Sequence, residues 1–188
     1  MARMVHAGLA TWLCFVTLIG AGFLSASAEP DQPLSPATPP AKTDKPAPRV
    51  LIETDRGKLT LELLPDVAPK TVARFMELVR KGFYNGLTFH RVAPRFLIEG
   101  GDPNGDGTGG SGRTILAEFN EKKHVTGTVG MAHTRDNPDS ADSQFYICLE
   151  PQPFLDGKYT VFGQVVDGLD VLPKIQEHDV MHMVTLQP

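Results

Sequence analysis

Most of the chain from residue 87 onward consists of short runs rich in β-branched and aromatic residues, separated by clusters of Gly, Pro, Asn and Asp. Short runs of this composition between turn-forming residues are typical of β-strands. The predicted strands in this part of the chain cover 87–92, 96–99, 128–132, 143–149, 159–166 and 182–186. Because many short strands leave unpaired edges unless the sheet closes on itself, the pattern favours an antiparallel barrel.

A hairpin and two helices complete the predicted fold. Residues 50–63 are typical of a hairpin, since apolar and polar side chains alternate in its second strand. Residues 69–81 begin with a proline and carry apolar side chains at helical spacing, and Gly82 follows as a stop signal. A second helix is predicted over 169–176, where Pro173 fits only within the first turn. The predicted fold class is therefore mainly β: an eight-stranded antiparallel closed barrel capped by two α-helices.

Residues 1–28 have the features of a secretory signal peptide. Arg3 precedes a stretch without charged residues over 7–24, and the small residues at 26–28 form a cleavage pattern. The same stretch approaches the ~20 residues needed to span a bilayer, so anchoring in a membrane by residues 7–24 is the alternative. Both interpretations predict an exported protein, which would be periplasmic or secreted if the signal is cleaved.

Residues 29–48 form a predicted linker between this segment and one domain. Seven of the twenty residues are proline and large apolar side chains are almost absent, so the linker cannot bury enough surface to fold. Residues 49–188 then form a single domain, with a monomer as the default expectation. Cys148 is the only cysteine in this domain, and its alternation with apolar neighbours predicts a buried thiol without a disulfide partner.

Charge and histidine spacing argue against two classes of function. The 18 Lys and Arg against 22 Asp and Glu give a net charge of −4, whereas nucleic-acid binders usually need a basic surface. The histidines of the domain lack the spacing of a zinc site, so ordinary surface or structural roles are expected. These histidines are His90, His124, His133, His178 and His182.

The glycine-rich segment 100–110 matches two ligand-binding motifs weakly. Residues 105–110 spell the dinucleotide pattern G-x-G-x-x-G, but Asp106 would face the pyrophosphate and no helix is predicted to follow. Residues 102–107 begin like a calcium-binding EF-hand loop, but Arg113 stands where a bidentate Glu is required. A long loop whose glycines supply positive φ is the favoured interpretation, and neither a cofactor nor a metal is expected.

Six motifs occur in a fixed order across the domain. They are Phe89-His90-Arg91-Val92, Phe96 to Asp102, Gly130 to His133, Ser143 to Cys148, Phe154 to Tyr159, and Val161-Phe162-Gly163. This series resembles the cyclophilin family of peptidyl-prolyl cis–trans isomerases over nearly the whole of residues 49–188. The resemblance implies an eight-stranded barrel with a proline-binding groove on its outer surface. It also implies that the substrates are X-Pro peptides and that the protein assists the folding of exported proteins.

The resemblance assigns the catalytic arginine of the family to Arg91. It assigns substrate binding to Phe96, Leu97, Glu99, Ala132, His133, Gln144, Tyr146, Phe154, Leu155 and Tyr159. Among these residues, the pocket for the proline ring is formed by Phe96, Leu97, Tyr146 and Leu155. Because adjacent residues of a strand point to opposite faces, only one of Phe96 and Leu97 is expected to face outward unless a bulge intervenes.

The implied reaction requires this kind of site. Rotation about a peptide bond has a barrier of about 18–20 kcal/mol because the nitrogen lone pair is delocalised into the carbonyl. No covalent bond forms or breaks, so the catalyst needs neither a nucleophile nor a metal and must hold the twisted amide better than the planar isomers. A guanidinium directed at the prolyl nitrogen gains a hydrogen bond only when the lone pair localises there. Arg91 and an apolar pocket are therefore the kinds of groups that this reaction requires.

Three positions depart from the usual pattern of the family. Glu99 stands where Gln is common, and its carboxylate is expected to pair with Arg91 and lower the turnover. A proline-peptide binding or chaperone module with weak or no turnover is therefore the alternative function. Tyr146 replaces the commoner Phe and is expected to add polarity at the pocket rim. Phe154 replaces Trp, which implies weak binding of cyclosporin.

Overall fold

The computed structural model describes residues 46–188, so the predicted signal peptide and residues 29–45 of the predicted linker lie outside the described residues. Residues 46–188 contain one α-helix, α1 (Pro69–Arg80). This helix is not long and apolar enough to cross a membrane. The strands are β1 (Arg49–Thr54), β2 (Gly57–Leu63), β3 (Arg91–Ala93), β4 (Leu97–Gly100), β5 (Thr128–Met131), β6 (Phe145–Cys148), β7 (Val161–Asp167) and β8 (Met181–Gln187).

All eight strands belong to one curled antiparallel sheet with the order β3-β4-β6-β5-β7-β2-β1-β8. The segments preceding the two edge strands meet, because Thr88 and Val180 form an isolated bridge. Four backbone hydrogen bonds flank it and join residues 86–89 to residues 178–181. The strand predicted over 87–92 is therefore this bridge followed by the short β3. The prediction of a mainly β fold with eight antiparallel strands is confirmed.

The opening hairpin forms as its alternating pattern predicts. β1 and β2 pair with Val50 opposite Leu61 and Ile52 opposite Leu59. All four of these side chains are fully buried. One face of the hairpin therefore belongs to the core.

The predicted first helix is confirmed as α1. Its first turn receives the carboxylate of Glu118, which accepts hydrogen bonds from the backbone N–H groups of Lys70 at 3.0 Å and Thr71 at 2.7 Å. Such bonds satisfy donors that have no partner within the helix. Phe75 projects from α1 into the core, with ring centroids 5.0 to 5.5 Å away in Tyr84, Phe162 and Phe145. The helix packs on the sheet through this aromatic cluster.

The predicted second helix over 169–176 is wrong. This part of the chain contains only a 3-10 turn at Leu172–Lys174, closed by hydrogen bonds from Lys174 N to Val171 O and from Ile175 N to Leu172 O. An α-helix would need Pro173 to donate to residue 169, but proline has no N–H group and its ring would collide with that carbonyl. Within residues 46–188 the curled sheet is therefore accompanied by one α-helix rather than two.

β6 separates two groups of apolar side chains. Phe145 and Ile147 point into the main core, whereas Tyr146 and Cys148 belong to a second buried cluster on the opposite face. Cys148 is fully buried, and burial raises the pKa of its thiol to about 12. The predicted buried thiol is confirmed, and the second cluster marks a site on the outside of the sheet.

Candidate active site

A second apolar cluster, here termed the outer cluster, lies on the outward face of β4 and β6. Its buried members are Leu97, Tyr146, Cys148 and Leu155, with Phe96, Ala132 and Tyr159 partly buried against them. Neighbouring strand pairing holds Leu97 opposite Cys148 and Glu99 opposite Tyr146. The pocket residues inferred from the sequence therefore come together as one surface, separate from the main core.

Phe96 and Leu97 both contact the outer cluster, whereas in a regular strand only one of them would face outward. The chain turns immediately before β4, where Arg95 has a positive φ of 63° and Phe96 N donates to Ala93 O at 3.0 Å. Because β4 begins only at Leu97, Phe96 is free of the strand alternation. Alternation starts at Ile98, which points into the main core.

Arg91 lies at the edge of the outer cluster. β3 places it directly opposite Glu99 on β4, and its Nη1 donates to Glu99 Oε2 at 2.7 Å. The Cζ of Arg91 lies 5.8 Å from the centroid of the Phe96 ring. Half of the Arg91 side chain is exposed, whereas Glu99 is largely covered. The guanidinium therefore borders the apolar surface and remains open to a ligand, while one of its nitrogens is engaged by Glu99.

The 3-10 turn Pro153–Leu155 supplies a further wall. Leu155 is buried in the outer cluster, whereas Phe154 is exposed and stacks on Phe96 with the ring centroids 5.7 Å apart. A stacked aromatic pair of this kind presents a flat apolar face to solvent. The turn and the segment before β4 thus form one continuous edge of the site.

Tyr146 is more deeply placed than the sequence predicts. Only 2% of the residue is exposed, and its hydroxyl lies 2.9 Å from Nε2 of the buried His124. The expectation of added polarity at the pocket rim is therefore wrong. Gly130 faces the phenol ring so closely that a Cβ there would lie 2.3 Å from Cζ and Oη of Tyr146. Only glycine at position 130 leaves room for this ring.

A polar cleft of about 560 Å³ adjoins the outer cluster. Five of the inferred site residues line it, namely Arg91, Glu99, Ala132, His133 and Gln144. The side-chain amide of Gln144 donates to the carbonyls of Gly107 at 3.0 Å and Gly109 at 2.8 Å. The glycine-rich loop therefore has a role in holding Gln144 at the cleft.

The acidic side chains of that loop are used within it. The carboxylate of Asp102 accepts hydrogen bonds from the backbone N–H groups of Asn104 and Asp106 at 2.9 Å and of Gly107 at 2.5 Å. Burial alone would raise the pKa of Asp102, but these three bonds outweigh burial and lower it. Positive φ angles at Gly105 and Gly107 shape the loop as the sequence predicts. In residues 46–188 no group of three or more His, Cys, Asp or Glu side chains could hold a metal ion.

His133 and Tyr159 form the remaining side of the site. Their rings stack with centroids 4.3 Å apart, and Tyr159 meets Tyr146 edge to face at 5.8 Å. The ring nitrogens of His133 lie 2.8 Å from Thr134 O and 3.0 Å from Lys158 O. Within residues 46–188 the backbone N–H and C=O groups of His133 have no hydrogen-bond partner. This stretch of main chain is therefore available to pair with an extended peptide.

All eleven residues inferred from the sequence thus border one surface, through the outer cluster, the polar cleft or the stacked Phe96–Phe154 pair. Sequence reasoning missed the parts played by His124 and Gly130. His124 was expected to be an ordinary histidine, and its separations of 22 residues from Tyr146 and 32 from Asp156 give no periodic signal. Gly130 lies within a matched motif, but its spatial requirement appears only once the Tyr146 ring is placed.

Comparison with known proteins agrees with this geometry. Residues 49–187 match the family model described as cyclophilin type peptidyl-prolyl cis-trans isomerase/CLD. A peptidyl-prolyl cis-trans isomerase of Synechococcus elongatus is 50% identical over 133 residues, which are 70% of this chain and 90% of that protein. Peptidyl-prolyl cis-trans isomerase B of Bacillus subtilis is 47% identical over 135 residues, which are 71% of this chain and 93% of that protein.

Solved structures show the same relationship. The crystal structure of a cyclophilin type peptidyl-prolyl cis-trans isomerase from Cryptosporidium parvum, obtained in the presence of the dipeptide Ala-Pro, is 30% identical with a TM-score of 0.70. The similarity covers 74% of this chain and 99% of that chain. The resemblance inferred from the sequence motifs is thereby confirmed. The chain belongs to the family of cyclophilin-type peptidyl-prolyl cis–trans isomerases.

Proposed function

We propose that Arg91 and the outer cluster are the parts of this isomerase that accelerate rotation about X-Pro bonds, with Arg91 as the catalytic residue. The observation that carries the proposal is the position of a half-exposed guanidinium, whose Cζ lies 5.8 Å from the Phe96 ring, at the edge of an outward apolar pocket. In this assignment the proline ring rests against Leu97, Tyr146 and Leu155. The acyl side of the bond then rotates beside Arg91.

The catalytic effect follows from the electronic change during rotation. As the amide twists, the lone pair of the prolyl nitrogen localises and the nitrogen becomes a hydrogen-bond acceptor. Arg91 donates to this nitrogen in the transition state and hardly at all to the planar isomers, so the interaction lowers the barrier. The free backbone groups of His133 hold the peptide main chain while this happens. Gln144, fixed by the glycine-rich loop, orients the polar side of the same chain.

The proposed substrates are X-Pro segments of unfolded exported proteins, met by a monomeric enzyme in the periplasm or outside the cell. The signal-like composition of residues 1–28 supports export, and the net charge of −4 supports peptide rather than nucleic-acid partners. Weak binding of cyclosporin belongs to the same proposal, because Phe154 offers a smaller surface than the Trp common in the family.

Export has a direct test in the mature amino terminus. If the signal is cleaved after Ala28, the intact mass of the protein purified from its native cells will correspond to a chain that begins at Glu29. Cell fractionation in the same experiment separates periplasmic, secreted and membrane-bound protein. An intact amino terminus in the membrane fraction would instead support anchoring by residues 7–24, and an intact one in the cytoplasm would contradict export.

A peptide-binding module with weak turnover is the second candidate function. It is favoured by one contact, the 2.7 Å bond between Glu99 Oε2 and Arg91 Nη1, because this bond occupies a donor that catalysis needs. The two candidates separate in one experiment on Ala-Pro peptides. NMR titration measures binding and NMR exchange measures the isomerisation rate, so binding without accelerated exchange would favour the second candidate.

Glu99→Gln is expected to raise kcat/KM by about two- to fivefold, the range of a partly exposed ion pair. The amide keeps a hydrogen-bonding group near Arg91 but removes the charge that competes for its donors. A protease-coupled assay on Ala-Pro peptides measures the change. Glu62→Gln is the matched control. Glu62 pairs with Arg49 at a distance of 2.9 Å, and this pair lies away from the site, so the substitution should leave kcat/KM unaltered. An unchanged or reduced value in Glu99→Gln would show that Glu99 does not restrain turnover.

A further inference from the structure

His124 is completely buried beside the outer cluster, although it lies in neither of the strands that form it. Its ring Nδ1 lies 2.9 Å from Asp156 Oδ1, and its Nε2 lies 2.9 Å from Tyr146 Oη. Its backbone N–H donates to the same Asp156 oxygen at 2.9 Å, and its C=O accepts from Gln152 N at 2.8 Å. Four hydrogen bonds therefore converge on one residue that the proposed reaction does not itself use.

The chemistry of Asp156 fixes the direction of one of the two ring bonds. An ionised carboxylate can only accept, so Nδ1 carries a proton and donates to Asp156. Backbone and ring N–H groups of His124, together with Lys123, lower the pKa of Asp156 to about 2, which keeps this carboxylate ionised at neutral pH. Nε2 lies 2.9 Å from the Tyr146 hydroxyl, a group that can act either as donor or as acceptor, so this second ring bond forms with the proton on either partner.

These bonds join two walls of the outer cluster. Tyr146 on β6 is one wall, and the turn that carries Phe154 and Leu155 is the other. His124 binds this turn at both ends, since Gln152 precedes it and Asp156 follows it. The buried imidazole therefore links Tyr146 directly to the end of this turn, in addition to the two backbone bonds of His124.

The Tyr146 ring is also restrained by close packing, in addition to its hydrogen bond to His124. Gly130 lies so close that even a methyl group there would meet Cζ and Oη at 2.3 Å. The hydroxyl bond to His124 holds the ring in the remaining space, with the two ring planes 18° from parallel. A buried, hydrogen-bonded phenol of this kind is a fixed surface for a ligand rather than a mobile one.

We propose that His124 is a positioning residue, which holds Tyr146 and the Phe154–Leu155 turn at the spacing that a proline ring requires. The inference rests on the proposed function of the outer cluster and adds a residue that does not touch the substrate. Loss of His124 should loosen the pocket, so KM for X-Pro peptides rises while kcat, which depends on Arg91, changes less.

Kinetics of four variants test the proposal. His124→Leu should lower kcat/KM by about three- to tenfold, the range of one hydrogen bond, mainly through KM. Tyr146→Phe removes the same bond and should give a similar loss, so the double variant should lose less than the product of the two. His124→Gln should recover part of the loss, because its amide reaches the position of Nε2. His182→Gln is the matched control, since His182 pairs with Asp55 at 2.7 Å on the exposed face of β8.

Fluorine NMR supplies a readout that a stability effect alone would not move. The chain has three tyrosines, so protein labelled with 3-fluorotyrosine gives three resonances, and Tyr146→Phe identifies one of them. His124→Leu should shift or broaden the Tyr146 resonance and leave that of Tyr84 in place. Ala-Pro peptide titrations on the same samples should show weaker binding, which keeps the proposal testable even if the wild-type protein has no turnover.

Several outcomes would overturn the proposal. One is a lower Tm in His124→Leu with unchanged KM, unchanged peptide affinity and an unmoved Tyr146 resonance, which would make His124 a purely structural residue. Another is multiplicative losses in the double variant, which would mean that His124 and Tyr146 act independently. If His124→Leu does not fold, an unaltered KM in Tyr146→Phe would overturn the proposal instead. Absent turnover in the wild-type protein would instead contradict the proposed role of Arg91.

Discussion

Arg91→Ala is expected to lower kcat/KM for X-Pro peptides by about 10²–10³-fold, the usual cost of removing one donor that stabilises a transition state. The reason is that, within residues 46–188, only the guanidinium of Arg91 lies over a ring of the outer cluster. Most of the loss should appear in kcat, because the proline ring still has its apolar pocket. Line-shape or exchange NMR on Ala-Pro peptides measures the rate without a coupling protease.

Two further arginine variants sharpen this prediction. Arg91→Lys keeps the charge but loses the planar array of donors, so it should recover only a small part of the activity. Arg49→Ala is the matched control, because Arg49 is half exposed like Arg91 and also pairs with a glutamate, Glu62 at 2.9 Å, on β1 and β2 rather than at the site. Equal activity of Arg91→Ala and the wild-type protein would remove Arg91 from the mechanism.

Phe75→Ala is expected to reduce the free energy of unfolding by about 3–5 kcal/mol. Phe75 is 1% exposed and its ring lies at the centre of the aromatic cluster between α1 and the sheet. Because domains are typically stable by about 5–15 kcal/mol, this single change would remove a large fraction of the total. Urea denaturation followed by circular dichroism measures the change.

The control for Phe75 lies on the same helix. Lys70→Ala substitutes an exposed position of α1 and should alter the free energy of unfolding by less than about 0.5 kcal/mol. The proposed peptide-binding surface is separate from the core, so a Phe75→Ala protein that remains folded at low temperature should retain isomerase activity. Unaltered stability of Phe75→Ala would mean that α1 does not depend on this aromatic cluster.

Local signals in the sequence predicted the elements that are stabilised locally. Alternation over 50–63 gave the correct hairpin, and the helical spacing after Pro69 gave α1 with its end near Gly82. The helix predicted over 169–176 failed because Pro173 outweighs a weak helical pattern. The strand predicted over 87–92 was too long, since most of that segment makes only a bridge to the segment before β8.

The sequence predicted which residues belong to the site but not how their side chains are arranged in space. Ordered motifs identified Arg91 and the pocket residues through the family resemblance. The outward placement of both Phe96 and Leu97 depends on a turn at Arg95 that alternation rules do not include. The buried Asp156–His124–Tyr146 chain joins residues from three distant segments, so no spacing in the sequence could reveal it.

The alternation along β6 has an evolutionary consequence. Selection for a new peptide preference can act on Tyr146 and its outward neighbours while Phe145 and Ile147 continue to secure the folded state. Ligand preference and thermal stability therefore depend on different side chains of a single strand. Because Tyr146 is itself packed on Gly130 and bonded to His124, a new recognition surface at this position requires matching changes at these two buried residues.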